Sequence, residues 1–132
     1  MALAKAPAEG LAADGGLYVI PLDARPAVTL GTTLAETATT LLTPLFQHET
    51  LDAQALCHAA FTFDAPLLPI DDDSFLLELF HGPTAAFKDF GARFLAEALS
   101  RLGLPPPTIL GATAGDTGGA VAGALNGKPG VR

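Results

Sequence analysis

Apolar residues recur at helical spacing in several stretches of the chain. Leu34, Leu41, Leu42 and Leu45 follow Thr32 and Thr33, either of which suits an N-cap, with Glu36 placed three after Thr33 for a capping box. Pro44 is expected to end or kink that helix. Leu51, Ala55 and Ala59 lie four apart and predict a second helix over 51–61. Phe87, Phe90, Phe94, Leu95, Ala98 and Leu99 fit one face of a helix over 86–102. Gly103 stands at its C′ position, and Pro105, Pro106 and Pro107 prevent continuation. A short helix is expected over 120–125. Strand-length apolar runs occupy 17–20, 75–80 and 108–110, the first preceded by the turn residues Asp14-Gly15-Gly16 and closed by Pro21, with a loop through Arg25-Pro26 after it. The acidic triplet Asp71–Asp73 reads as a turn and a domain boundary, dividing the chain into 1–72 and 73–132. Beyond it the order is strand, loop, helix, strand, loop, helix, the alternation of a parallel α/β sheet.

Composition narrows the function classes. The chain has 132 residues, 49% of them hydrophobic and 16% charged, too apolar for a disordered chain. Seven Lys and Arg stand against 14 Asp and Glu, for a formal charge of −7. That balance argues against nucleic acid and against anionic membrane surfaces as partners. A single cysteine, Cys57, excludes an intramolecular disulfide and a cysteine-cluster metal site; at mid-helix it reads as a small core residue. No leader segment is visible and no apolar run reaches the roughly 18–20 residues of a membrane span, so a cytoplasmic protein is expected.

In open α/β sheets ligands bind beyond the carboxyl ends of strands. Two loops occupy such positions and lead into helices: 81–90 and 112–118. The first holds Lys88, between Phe87 and Phe90. Two readings stand for it. Aromatic flanks and the positive helix end would favour the neutral amine that Schiff-base chemistry requires. Composition alone favours a surface lysine paired with Asp89. Lys5 and Lys128 lie in Gly-, Pro- and Ala-rich surroundings and read as solvated. In the second loop, Gly115 and Gly118 permit close approach to a phosphate or a planar cofactor; the plainer reading is a turn with Asp116 or Thr117 as N-cap. His48, His58 and His81 are too dispersed for a metal cluster, although His81 is placed at a strand end. Asp71–Asp73 lacks the alternating ligands of a calcium loop, and no metal is expected.

The segment from Glu78 to Phe94, Glu-Leu-Phe-His-Gly-Pro-Thr-Ala-Ala-Phe-Lys-Asp-Phe-Gly-Ala-Arg-Phe, resembles the pyridoxal 5'-phosphate (PLP) lysine segment of the threonine synthase family. Thr113-Ala-Gly-Asp-Thr-Gly-Gly-Ala120 resembles a second family signature, and Asp14-Gly-Gly-Leu-Tyr18 is similar to an N-terminal one. The resemblance implies a small N-terminal α+β domain over 1–72. The first strand–helix units of a fold-type-II, tryptophan-synthase-β-like parallel sheet would follow over 73–132. It further implies a PLP-dependent carbon–oxygen lyase that converts O-phospho-L-homoserine and water to L-threonine and phosphate. Lys88 would be the catalytic, PLP-bearing lysine, and Thr113, Gly115, Asp116 and Thr117 would contact cofactor or substrate. Ala114 stands where the family usually has serine, and the family's catalytic domain extends well past the residues matched here. The chain is accordingly expected to be an incomplete, inactive N-terminal piece of such an enzyme. The alternative is a non-catalytic remnant or interaction module that keeps part of the fold.

Overall fold

The computed structural model describes residues 6, 9–19, 31–47 and 49–131. Lys5, Ile20, Pro21, Arg25, Pro26 and His48, each named in the sequence reading, lie outside them. Helix α1 spans Leu34–Leu42 and runs into a 3-10 turn over Thr43–Leu45, the stop expected at Pro44. Its capping box forms as read: Thr33 Oγ1 accepts from the Glu36 N–H at 3.2 Å, and the Glu36 carboxylate accepts from the Thr33 N–H at 3.1 Å. The Thr32 hydroxyl and N–H donate to the same carboxylate and, with Thr33, hold it below the ordinary glutamate range.

Helix α2 spans Ala53–Ala60, with the Asp52 carboxylate capping the N–H groups of Gln54 and Ala55. Its buried face is Ala53, Leu56, Cys57 and Ala60, rotated from the expected Leu51–Ala55–Ala59 line; Ala55 is exposed. Cys57 is fully buried, and burial pushes its thiol up against an opposing bond from Thr39. Strands β1, Leu67–Pro69, and β2, Phe75–Leu77, form an antiparallel hairpin in the register Leu67–Leu77, Leu68–Leu76 and Pro69–Phe75. Asp71–Asp73 lies in its turn, where Asp71 Oδ1 accepts from the Asp73 N–H. Helix α3 spans Lys88–Arg101, with Gly103 at φ +63° just beyond it, and α4 spans Asp116–Leu125.

Several expectations are corrected. Residues 17–19 and 108–110 are not strands, and β2 stops at Leu77 rather than Phe80. Among the described residues the sheet is a two-stranded antiparallel hairpin, consistent with part of a larger α/β domain. A parallel strand needs a hydrogen-bonded neighbour on its edge and helices on both faces. The segment before 108–110 is moreover three prolines with no N–H to donate. Ile109 and Leu110 are left exposed, as are the large side chains of the hairpin. Helix α4 begins four residues earlier than expected. Among the described residues no helix is long and apolar enough to cross a membrane.

The core lies where α1, α2 and α3 meet. Phe46, Leu51, Ala53, Leu56 and Ala98 form its buried centre, with Leu42, Leu45, Phe94 and Leu102 packed around them. Phe94 joins two elements through its ring. It meets Phe46 edge-on at 6.3 Å between centroids and stacks on Phe61 at 6.1 Å. Such pairs contribute about 0.5–1.5 kcal/mol each beyond their area burial. Arg93 fixes the same contact from the polar side: its Nε donates to the Ala60 carbonyl at 2.7 Å, satisfying a backbone group that α2 leaves unpaired at its end. Phe87 and Leu95, expected on the core face of α3, are exposed instead.

Helix α4 is intrinsically weak. Gly118, Gly119 and Gly123 each disfavour helix by roughly 1 kcal/mol relative to alanine. It packs on α3, burying only Ala120 and Ala124. The contact is completed by charge. Glu97 is 5% exposed and its carboxylate accepts from Arg101 on the same helix and from Lys128 just beyond α4. Lys128 is therefore an ion-pair partner, not the solvated lysine expected. Burial alone would raise the Glu97 carboxyl, but the hydrogen bonds from Lys128 and Arg101 outweigh it and hold the group below its ordinary value.

Two outcomes follow from this packing. Leu56→Ala should cost about 2–5 kcal/mol in chemical unfolding, whereas Leu110→Ser, at a 90% exposed position, should stay within about 0.5 kcal/mol; equal costs would contradict the core assignment. A carboxyl held low in the folded state stabilises fully above its unfolded value and loses that contribution as pH falls through the folded one. Glu97→Gln should therefore cost about 1.5–3 kcal/mol at neutral pH, the range for bonds to charged groups. The gap between the two melting temperatures should close as pH falls below 4.5. A gap independent of pH would contradict the pairing.

Candidate functional site

The loop before α3 is built around a buried carboxylate. Asp89, in the first turn of α3, is 1% exposed. Its Oδ2 accepts from the Thr84 N–H at 2.9 Å and its Oδ1 from the Thr84 hydroxyl at 2.8 Å. Negative charge at this helix end is also favoured by the helix dipole. Asp89 thus binds backward along the chain; the expected pair with Lys88 is not among its contacts. Gly82 is required by the same arrangement: a Cβ there would fall 2.4 Å from Asp89 Oδ2 and 2.7 Å from its Cβ. Ala85 completes the turn at φ +57°, a left-handed conformation that costs a non-glycine residue on the order of 1 kcal/mol.

Lys88 is the first residue of α3 and is exposed, with Nζ 4.6 Å from the centre of the Phe87 ring. The burial expected from its aromatic flanks is not found, because Phe87 itself is 54% exposed. The backbone that carries the amine is nevertheless fixed, at a helix start tied down by Asp89. His81 lies four residues past β2, its Nε2 2.6 Å from Glu78 Oε2 and its ring stacked on Phe80.

The loop before α4 is built around Thr113. Its Oγ1 accepts from the N–H groups of Gly115 and Gly118, both at 3.0 Å. Two N–H groups that were candidates for a phosphate are therefore already committed within the loop. Both acceptor positions of the hydroxyl are taken, so toward a ligand Thr113 can only donate. A Cβ on Gly118 would lie 2.7 Å from that oxygen, which makes glycine necessary there. Gly115, at φ +134°, is the N-cap of α4, not Asp116 or Thr117, and the capping oxygen comes from Thr113. Thr113, Gly115 and Asp116 are exposed and Thr117 is half-buried. Backbone space around Gly115 and Gly119 is open.

Helices α3 and α4 pack on each other, and a Cβ on Gly123 would meet the Thr84 methyl at 3.4 Å. No group of three or more His, Cys, Asp or Glu side chains that could hold a metal occurs among the described residues. A cleft of about 250 Å³ between α1 and α2, lined by Thr39, Phe46, Leu51 and Asp52 among others, includes no residue of either loop. Thr84 and Glu97 carry much of this geometry and were not singled out from the sequence. The Glu97–Arg101 spacing of four residues within one helix was the available signal. Because Gly82 is crowded by Asp89, Gly82→Ala should destabilise by about 1–3 kcal/mol. Gly91→Ala, in open space on α3, should be neutral or stabilise by up to about 1 kcal/mol. Thermal unfolding of the pair checks this, and a harmless Gly82→Ala would remove the case for the Asp89 lock.

No family model matches the chain. Threonine synthase from Escherichia coli strain K12 is 57% identical to it over 75 residues, which is 56% of this chain and 18% of that protein. Threonine synthase from Haemophilus influenzae is 46% identical over 127 residues, 90% of this chain and 29% of that one. The crystal structure of threonine synthase from Escherichia coli aligns over 100% of this chain and 33% of its own length, with a TM-score of 0.79 and 35% identity. A PLP-bound threonine synthase from Brucella melitensis aligns over 97% of this chain and 31% of its own, with a TM-score of 0.78 and 38% identity. The chain thus spans a third or less of each of these relatives. Its mixed helix-and-strand fold and its sequence agree over that part: the chain belongs to the threonine synthase family.

Proposed function

We propose that the chain carries the cofactor lysine of a threonine synthase. In that reading it is part of a cytoplasmic, fold-type-II, PLP-dependent carbon–oxygen lyase that turns O-phospho-L-homoserine and water into L-threonine and phosphate. The observation that carries the reading is the placing of Lys88 and the Thr113–Gly118 loop at the starts of two helices packed on each other. The donor set suits the cofactor. Lys88 presents a reachable primary amine to an aldehyde, and the bare backbone at Gly115 and Gly119 lets a flat ring approach. When bound, PLP supplies an electron sink for charge developing on the substrate carbons.

The chain's own residues do the rest. Lys88 Nζ takes one proton from Cα and one from Cβ of the substrate as phosphate departs from Cγ, then delivers one proton to Cγ and, once the hydroxyl of water has added at Cβ, one to Cα. Asp89, through Thr84, holds the helix start from which that amine projects. The Thr113 hydroxyl donates to a cofactor or substrate oxygen, and Gly115, Asp116 and Thr117 line the same side. Ala114, exposed beside them, adds no hydroxyl. A second reading, a non-catalytic interaction module, draws on the exposed apolar hairpin of Leu67, Leu68, Phe75 and Leu77.

Borohydride fixation after incubation with PLP, followed by peptide mapping, separates the two. The cofactor reading predicts a phosphopyridoxyl group predominantly on Lys88 and its loss in Lys88→Ala. Equal labelling of Lys5, Lys88 and Lys128 would contradict it and favour the module.

A further inference from the structure

We infer that Glu97 is a positioning residue for the cofactor site: with Lys128 it forms a latch that holds α4, and so the Thr113–Gly118 loop, in place beside the helix that starts at Lys88. The inference rests on the reading of Lys88 given above. Glu97 lies nine residues along α3 from Lys88, and Lys128 follows the end of α4 by three. Neither belongs to a loop already assigned to the cofactor.

The packing shows why such a latch is needed. Helix α4 carries three glycines and buries only two alanines, so little in its own sequence or its apolar contact fixes it on α3. One constraint is steric: a Cβ on Gly123 would come 3.4 Å from the Thr84 methyl, beside the turn that Asp89 holds. The other is the buried carboxylate of Glu97, whose two oxygens are divided between Arg101 and Lys128. The Lys128 N–H further donates to the Leu125 carbonyl at 3.0 Å, so the lysine's backbone is tied to the last turn of α4 while its side chain is tied to α3. At the other end of α4, the loop is bound to the helix through Thr113 Oγ1 and the Gly118 N–H. A displacement of α4 is therefore passed to the loop. Arg101 stays with Glu97 when Lys128 is removed, so the carboxylate remains paired and only the connection between helices is lost.

The test compares Glu97→Gln, Lys128→Met and Lys128→Arg in the full 132-residue chain. It uses hydrogen exchange of the α2 and α4 amides and the yield of borohydride-fixed phosphopyridoxyl-Lys88 at one PLP concentration. In Glu97→Gln and Lys128→Met, exchange in α4 should rise about tenfold or more beyond any rise in α2, and the Lys88 yield should fall about threefold or more. Lys128→Arg should keep both near the parent values. If α4 exchange rises while the Lys88 yield does not move, the latch is structural only and the positioning role is overturned. If neither changes, the latch itself is overturned. Should Glu97→Gln lose protection throughout the chain, Lys128→Met decides by the same criteria. A parent chain that shows no preference for Lys88 sinks the cofactor reading and the positioning role with it. The exchange data then still report whether the latch exists.

Discussion

Helix α3 brings two carboxylates into the interior, and the surrounding structure is arranged to satisfy them. An unpaired buried charge would cost more than a fold of this size can spare. Asp89 is met by the backbone and hydroxyl of Thr84, which folds the Gly82–Phe87 segment back onto the helix start. Glu97 is met by Arg101 and Lys128, which draws the end of α4 onto α3. Between them, Arg93 closes the end of α2, and Phe94 and Ala98 enter the core. One helix thus fixes the loop before it, the helix after it and the pair of helices behind it.

That arrangement explains why an exposed lysine can still be a defined one. Lys88 is adjacent in sequence to a buried carboxylate bonded at both oxygens, on the turn that this carboxylate locks. On the proposed reading its role need not come from burial, which the structure does not provide; it would rest on a backbone position fixed at the start of α3. The two loops use the same device: a threonine tied to a helix start, and a glycine that must lie against the tie, Gly82 in one and Gly118 in the other.

Much of this was legible in the sequence where the signal is local. The capping box at Thr33 and Glu36, the stop at Pro44, the turn at Asp71–Asp73 and the buried Cys57 all follow from nearest-neighbour chemistry. The long motif around Lys88 was legible as a family resemblance, and the relatives bear that family out. What failed is non-local. Periodicity gave three strands, but a strand exists only through its partner. The runs at 17–19 and 108–110 have no ladder here, while β1 was hidden by the prolines on either side of Leu67–Leu68. Phe87 fitted the core-facing line of α3, yet it precedes the helix and stays exposed. The partners of Asp89 and Lys128 lie five residues and 31 residues away, and composition could not choose them.

The central claim is that Lys88 and the Thr113–Gly118 loop form one site. Amide resonances of the isotopically labelled chain, followed as PLP is added, test it most directly. The account predicts that the amides of Gly82–Asp89 and those of Thr113–Gly118 shift together, with a common midpoint, and that both responses vanish in Lys88→Ala. Shifts confined to one loop, or independent midpoints for the two, would contradict it.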